Sequence, residues 1–261
     1  MTPLAVERAS DGRRPVVLLH GFLGGARNLA SLAHGLAERD PDLGIVALDL
    51  TGHGASPPLP RGADSTTLAG DVLATVRALG LVTPLALVGH SLGGRVALRA
   101  ALIEPAVARS VTLLDIAPGP LPAGGEVSRV LHALLQAPER VATRGEARAT
   151  LVAAGLAPRV AEWLVLNLEP VTGGYRWRVD RRALAALHER IVAEDLWPAV
   201  ERPRAYGVRC IRGGASPSVT AADVRRLEAA RCAVVTIDGA GHLLHAERPQ
   251  AVLEAVAAGL S

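Results

Sequence analysis

Short apolar runs alternate with amphipathic segments through the first half of the chain. The apolar runs are rich in Val, Leu and Ile and have the length of buried strands; they cover residues 16–20, 45–50, 85–89 and 111–115. The segments between them carry apolar side chains at helical spacing and cover residues 28–38, 67–78 and 92–101. Strands that alternate with helices predict βαβ units, and therefore an α/β fold with a mostly parallel central sheet flanked by helices.

The alternation stops after residue 115 and resumes near residue 201. In between, the chain carries Pro-Gly turns and segments with helical spacing, at residues 127–136, 147–154, 160–168 and 183–193. The resumed pattern predicts strands at 206–212 and 233–238 and helices at 220–229 and 250–259. The length of 261 residues fits one domain with an insertion better than two full domains. We therefore predict a core in two parts, 1–118 and 201–261, with a helical cap inserted at 119–200.

The most informative motif is Gly-His-Ser-Leu-Gly at residues 89–93, which directly follows one apolar run and opens a helical segment. A Gly-x-Ser-x-Gly sequence between a strand and a helix is typical of a nucleophile elbow, a tight turn that exposes the serine hydroxyl. Glycines on both sides allow the strand and the helix to approach without Cβ clashes. Ser91 is therefore the candidate catalytic nucleophile.

A serine hydroxyl needs a neighbouring base to accept its proton. Of the eight histidines, His242 fits best, because it follows the last predicted strand and should lie at the same sheet edge as Ser91. The other histidines follow earlier strands, flank Ser91 or lie in helical segments, apart from His245. His245 lies three residues beyond His242, but two histidines without further ligands do not predict a metal site.

The acid that orients the histidine is less sharply defined. A common arrangement places it after the penultimate strand, yet residues 210–218 contain no Asp or Glu. Asp115 ends the strand that follows the elbow, at the same edge, and is the preferred candidate. Asp49 ends another strand and is a more distant contender, whereas Asp223 is predicted on a helix surface and Asp238 at a strand end.

A serine mechanism also needs N–H donors for the oxyanion of its tetrahedral intermediate. In an elbow, one donor is the backbone N–H of the residue after the nucleophile, here Leu92. The second is predicted to be the backbone N–H of Phe22, which follows a strand and is surrounded by glycines at 21, 24 and 25.

Composition and charge narrow the class of protein. Hydrophobic residues make up 49% and charged residues 20% of the chain, as in globular rather than disordered proteins. The net charge of +3 comes from arginines spread along the chain, with no lysine, and does not point to nucleic acid. Neither a signal peptide nor a membrane-spanning run is visible. We expect a cytoplasmic monomer or homodimer with a small-molecule substrate, no nucleic-acid or membrane partner, and free thiols at Cys210 and Cys232.

Taken in order, the motifs of the core resemble those of the α/β-hydrolase superfamily. They are His-Gly-Phe-Leu-Gly at 20–24, Asp-Leu-Thr-Gly-His-Gly-Ala-Ser at 49–56, the elbow at 89–94 and Gly-Ala-Gly-His at 239–242. The chain is also similar to the YbfF-type esterases, in Asn-Leu at 167–168, Gly-Gly at 173–174, Trp-Arg at 177–178 and Arg-Gly-Gly at 212–214. Asp180 departs from that pattern, which usually has Asn. The resemblance implies an acid at Asp115, within Leu-Asp-Ile-Ala-Pro at 114–118.

The sequence thus predicts a serine hydrolase that cleaves carboxylic esters or thioesters of small to medium acyl chains through an acyl-enzyme, without a cofactor or metal. Two alternatives stay open. A menaquinone-pathway synthase of the same fold is similar at residues 20–24 and 94–98 and would use an arginine such as Arg95 to hold a carboxylate. Hydrolase folds also serve as non-catalytic ligand-binding proteins, because a fold alone does not establish chemistry. Three tryptophans are expected in the core of the cap, Trp163, Trp177 and Trp197.

Overall fold

The first part of the core alternates strands and helices. A computed structural model describes residues 3–121 and 124–260. Outside this part lie residues 1, 2 and 261 of the predicted core and residues 122–123 of the predicted cap. Residues 1 and 2 belong to the N-terminal segment in which we expect no signal peptide. In chain order the elements are β1 (Val6–Arg8), β2 (Arg14–Leu19), α1 (Ala30–Arg39), β3 (Leu43–Leu48), α2 (Ser65–Ala78), β4 (Leu85–His90), α3 (Leu92–Ile103) and β5 (Ala108–Leu114).

The segment after β5 contains helices and also a small antiparallel sheet. Its elements are α4 (Glu126–Gln136), β6 (Arg140–Val141), α5 (Arg144–Ala153), α6 (Pro158–Leu164), β7 (Leu168–Val171), β8 (Gly174–Trp177) and α7 (Arg181–Val192). The described strands pair in the order β6-β8-β7. The helical prediction for 119–200 does not include this sheet, because its strands are short, partly exposed and interrupted by Pro170.

The chain then returns to the main sheet. The remaining elements are α8 (Pro198–Glu201), β9 (Gly207–Gly213), α9 (Ala221–Ala229), β10 (Ala233–Ile237), α10 (Leu244–Glu247) and α11 (Pro249–Ala257). Within the described residues, seven strands form the main sheet in the order β1-β3-β2-β4-β5-β9-β10. All neighbours in it are parallel except β1 and β3. The predicted mostly parallel sheet flanked by helices is confirmed.

The central strands are buried on both faces, and their alternating side chains separate two hydrophobic layers. In β2, Val16 and Leu18 belong to the layer that contains residues of α1 and α11. Val17 and Leu19 belong to the layer that contains residues of α2 and α3. Because parallel strands end at one edge, the loops after β2, β4, β5, β9 and β10 come together there.

Candidate active site

The turn between β4 and α3 holds Ser91 in a strained conformation. Its φ of 51° is in the left-handed region, where residues other than glycine are uncommon. A Cβ at Gly89 would lie 2.2 Å from the backbone carbon of Gly93, and one at Gly93 would lie 2.2 Å from the carbonyl oxygen of Leu19. The tight turn therefore requires both glycines, as the motif predicts.

The structure brings Ser91, His242 and Asp115 together at the predicted edge. His242 lies on the loop after β10, and its Nε2 is 3.1 Å from Ser91 Oγ. Its Nδ1 is 2.7 Å from Oδ2 of Asp115, which directly follows β5. The carboxylate fits a tautomer with the proton on Nδ1, which leaves the Nε2 lone pair facing the serine hydroxyl.

The carboxylate of Asp115 is fully buried but well supplied with donors. The backbone N–H of Gly213 donates to Oδ1 over 2.8 Å, and the hydroxyl of Ser216 donates to Oδ2. Ser218 Oγ lies 3.0 Å from His242 Nδ1. No sequence-based prediction assigned a role to Ser216 or Ser218. Their position after a strand that ends at the same edge as Ser91 is the signal that could have indicated one.

The other candidate acids have different partners. Asp49 organises loops, since it accepts the backbone N–H groups of Ala26 and Ala55 at 2.7 and 2.8 Å. Asp223 accepts hydrogen bonds from Thr220 at the start of α9. Asp238 is exposed after β10. In the described structure, only Asp115 among these four contacts His242.

Phe22 and Leu92 lie on either side of the strained turn. Leu92 is the first residue of α3, and Phe22 is on the loop after β2. This loop passes close to the turn, since a Cβ at Gly21 would lie 3.4 Å from Ser91 Cβ. Within the described residues, neither backbone N–H makes a hydrogen bond.

A cavity of about 250 Å³ opens beside Ser91 and His242. The core contributes Phe22, Leu23, Leu243 and His245 to its lining. The inserted segment contributes the other side, with Val127, Val130, Arg159, Val160 and Trp163. Trp163 therefore lies on the cavity wall, whereas Trp177 and Trp197 are buried in the hydrophobic core as expected.

Several buried histidines surround the site without joining it. The ring of His90 lies 4.9 Å from that of His242 and 4.6 Å from that of His245, between centroids. Burial lowers the pKa of His245 to about 4 and that of His90 well below its usual value. Both rings are therefore uncharged at neutral pH. In the described part of the chain, no three His, Cys, Asp or Glu side chains form a group that could hold a metal ion.

Arg95 is occupied in holding the inserted segment. Its side chain is 1% exposed, and its guanidinium donates to the carbonyls of Gly119 and Glu194, each over 2.7 Å, and to that of Ile191 over 3.2 Å. These carbonyls lie on the two connections between the inserted segment and the core. Arg95 therefore binds backbone rather than facing the cavity, which disfavours its use as a carboxylate ligand in a synthase.

Comparisons with known proteins agree with this architecture. The sequence profile described as "Alpha/beta hydrolase family" matches residues 16–255. The chain belongs to the α/β-hydrolase family. It is thus a hydrolase with the predicted α/β-hydrolase fold. Among the described residues, no helix is long and apolar enough to cross a membrane.

Individual relatives of this α/β hydrolase include enzymes named as lipases and esterases. The chain is 30% identical to the sn-1-specific diacylglycerol lipase ABHD11 of Mus musculus, over 94% of this chain and 80% of the relative. It is 28% identical to the esterase YbfF of Escherichia coli, over 93% and 91% of the two chains. A solved structure titled "Marine microorganism esterase" has a TM-score of 0.85 and 23% identity, covering 97% of this chain and 98% of that one. The predicted resemblance to YbfF-type esterases is confirmed.

The buried histidines predict a loss of stability in mild acid. Burial lowers the pKa of His20 to about 4 and that of His53 to about 3, alongside the shifts of His90 and His245. Because the unfolded chain binds protons at higher pH than the folded one, the free energy of unfolding should fall as pH drops from about 6.5 to about 4. By pH 5 the loss should be about 2 kcal/mol for each of His20, His53 and His245. Urea denaturation at pH 7.5 and pH 5 measures it.

His245 and His34 offer a matched pair for that measurement. In His245→Phe the free energy of unfolding should depend less on pH, because the variant lacks this buried imidazole. Nδ1 of His245 has no partner among the described residues. His34 is exposed, and His34→Gln should leave the pH dependence unchanged. Equal stability of the wild type at both pH values would contradict the explanation.

The contacts of Arg95 predict a substrate-dependent defect when they are removed. Arg95→Met leaves buried carbonyls without donors, at a cost of about 1–3 kcal/mol for each group, and frees the inserted wall to shift. The KM of medium-chain esters such as hexanoates should rise more than that of acetate esters, which reach less of the inserted side of the cavity. Arg204→Met is the control, because Arg204 also donates to backbone carbonyls, at Val200 and Ala230, but away from the cavity. A uniform loss across chain lengths would argue for a general folding defect.

Proposed function

We propose that this α/β hydrolase is a serine esterase or thioesterase, with Ser91 as nucleophile, His242 as general base and Asp115 as the orienting acid. The observation that carries the proposal is the continuous contact from Ser91 Oγ through the imidazole of His242 to the carboxylate of Asp115. A serine with this pair of partners has the arrangement that nucleophilic acyl transfer needs. The names of the relatives, esterase and lipase, support the same class of substrate.

In the proposed reaction, Ser91 Oγ attacks the ester carbonyl while His242 Nε2 takes its proton. The imidazolium that forms is stabilised by the carboxylate of Asp115. His242 then donates the proton to the leaving alcohol or thiol, and an acyl-enzyme remains on Ser91. A water molecule, deprotonated by His242, then attacks the acyl carbon. The bond to Ser91 Oγ breaks, His242 returns the proton to Oγ, and the carboxylic acid is released. Oxygen esters and thioesters fit equally, because only the leaving group differs, and no cofactor enters any step.

The backbone N–H groups of Phe22 and Leu92 are proposed to bind the oxyanion of the tetrahedral intermediate. Both are without a hydrogen-bond acceptor among the described residues and flank the turn that carries Ser91. A donor that is already oriented stabilises negative charge when it develops, and losing one typically costs about 2.7–4 kcal/mol.

The inserted segment is proposed to act as a cap over an acyl-binding cavity. Val127, Val130 and Val160 give its side of the cavity an apolar surface that suits an acyl chain. The cavity volume of about 250 Å³ fits small to medium chains rather than long ones, since pockets for drug-sized ligands span about 300–1,000 Å³.

The two alternative functions find less support. A synthase that holds its substrate carboxylate with Arg95 is disfavoured, because that guanidinium is bound to backbone carbonyls. A non-catalytic binding protein would have no need of a strained serine or of a buried carboxylate aligned with a histidine.

Hydrolysis of 4-nitrophenyl esters from acetate to decanoate tests the proposal. Wild-type protein should turn over the shorter members, and Ser91→Ala should abolish the turnover, because it removes the attacking oxygen. The chain length at which kcat/KM falls measures the depth of the cavity. Turnover that persists in folded Ser91→Ala, or its absence in folded wild type, would refute a serine esterase.

Asp115→Asn tests the assignment of the acid. The amide cannot stabilise the imidazolium or favour the reactive tautomer, so kcat should fall by up to about 10⁴-fold by analogy with the serine-protease triad. Asp238→Asn is a matched control, because Asp238 is exposed and follows β10 on the loop that carries His242. Circular dichroism checks that each variant is folded. Near-wild-type turnover by folded Asp115→Asn would show that another group orients His242.

A further inference from the structure

Arg159 is a cationic side chain on the cavity wall that has no polar partner among the described residues. Arg159 is exposed on α6 and lines the cavity together with Val160 and Trp163 of the same helix. Among the described residues, it makes no hydrogen bond and no ion pair. By contrast, Arg148, which is half-buried in the inserted segment, pairs with Glu162 at 2.9 Å. A free guanidinium at the cavity is therefore available to a ligand.

The other ionisable groups of the cavity lining differ from Arg159 in charge or in position. Burial lowers the pKa of both His90 and His245, so their rings are uncharged at neutral pH. Glu247 is the acidic group of the lining, and its Oε2 accepts the backbone N–H of Gly241 over 2.6 Å. Glu247 is the last residue of α10, on the core side of the cavity, and no ion pair joins it to Arg159 in the described structure. Positive charge is thus concentrated on the inserted side.

A second free donor lines the same cavity. Oδ1 of Asn28 accepts the backbone N–H of Gly25 over 2.7 Å, which fixes the orientation of the amide. Its Nδ2 has no acceptor among the described residues, and Asn28 lies on the cavity lining. The guanidinium of Arg159 and Nδ2 of Asn28 are both hydrogen-bond donors. The polar groups of the lining that have no partner among the described residues are therefore richer in donors than in acceptors.

We propose that Arg159 selects esters that carry a carboxylate, which its guanidinium binds while the apolar wall covers the methylene chain. A guanidinium presents a planar set of N–H donors that matches a carboxylate. Val127, Val130 and Val160 line the same cavity with apolar side chains. The inference rests on the proposed ester hydrolysis and adds the substrate class. The carboxylate can be carried by the acyl chain or by the alcohol, and the experiment distinguishes the two.

The test compares esters that differ only in the anionic group. Mono-4-nitrophenyl adipate and 4-nitrophenyl hexanoate share a six-carbon acyl chain and a leaving group. 3-Carboxyphenyl hexanoate and phenyl hexanoate place the same difference on the alcohol. In the pair whose carboxylate is on the side that Arg159 binds, acyl chain or alcohol, Arg159→Gln should lower kcat/KM of the anionic ester relative to the neutral one. The expected change is about three- to fivefold, the effect of an exposed charge pair. Raised salt should also reduce the preference of the wild type for the anionic ester over the neutral one.

Controls separate a local contact from general electrostatics. Arg190→Gln removes the same charge from an exposed site on α7, where Arg190 donates to the carbonyl of Ala186, and should leave the preference as in wild type. Arg159→Lys keeps the charge without the planar donor set and should retain part of the preference. Equal effects of Arg159→Gln and Arg190→Gln, or an unchanged ratio in both ester pairs, would overturn the proposal.

A binding measurement keeps this inference distinct from the proposed function. Calorimetry with octanoate and octanamide needs no turnover, and the two ligands have the same carbon chain but differ in the charge of the head group. Octanoate binding should weaken in Arg159→Gln while octanamide binding should not change as much. If wild type hydrolyses neither ester of a pair but the octanoate difference is seen, esterase activity fails and the carboxylate site stands. If Ser91-dependent hydrolysis is seen while octanoate and octanamide respond alike, the carboxylate site fails and the esterase stands.

Discussion

The buried carboxylate of Asp115 connects the two parts of the core at the site. A charge with no solvent exposure is tolerated only where surrounding donors satisfy it. Those donors are the Gly213 N–H, the Ser216 hydroxyl and the His242 imidazole, all from the part of the chain after the inserted segment. Satisfying the carboxylate therefore also places His242 beside Ser91, so that completing the fold and assembling the site require the same contacts.

A second buried charge holds the cavity wall in place. Arg95 lies one turn after Ser91 on α3 and binds carbonyls on both connections of the inserted segment. These connections also bind each other, through Leu121 N–H to the Val192 carbonyl at 2.8 Å and Leu196 N–H to the Pro118 carbonyl at 2.9 Å. The wall that faces Ser91 is thus anchored to the helix that begins at the strained turn. Burial lowers the pKa of Arg95 to about 10, which leaves it charged at neutral pH.

Local patterns were sufficient to predict most of the core. The strands at 85–89 and 111–115 and the helix at 92–101 agree with β4, β5 and α3 to within a few residues, because buried parallel strands are nearly continuous apolar runs. Strand β1 has no such run, because two of its three residues are exposed. It pairs with β3 at the edge of the sheet. The small sheet β6-β8-β7 escaped prediction for the same reason: its strands are short and partly exposed, so they form no continuous apolar run.

By itself the sequence determined the strand-to-helix turn at Ser91, since only glycine fits at 89 and 93 where the backbones touch. It also placed His242 and Asp115 at ends of strands that share an edge. Only the tertiary structure decided that Ser216 and Ser218 support this pair and that Arg95 holds the inserted segment. It also decided that Arg159, at the cavity, has no polar partner among the described residues. Those roles depend on distances between residues far apart in the chain, which packing sets and which no local pattern of apolar and polar residues encodes.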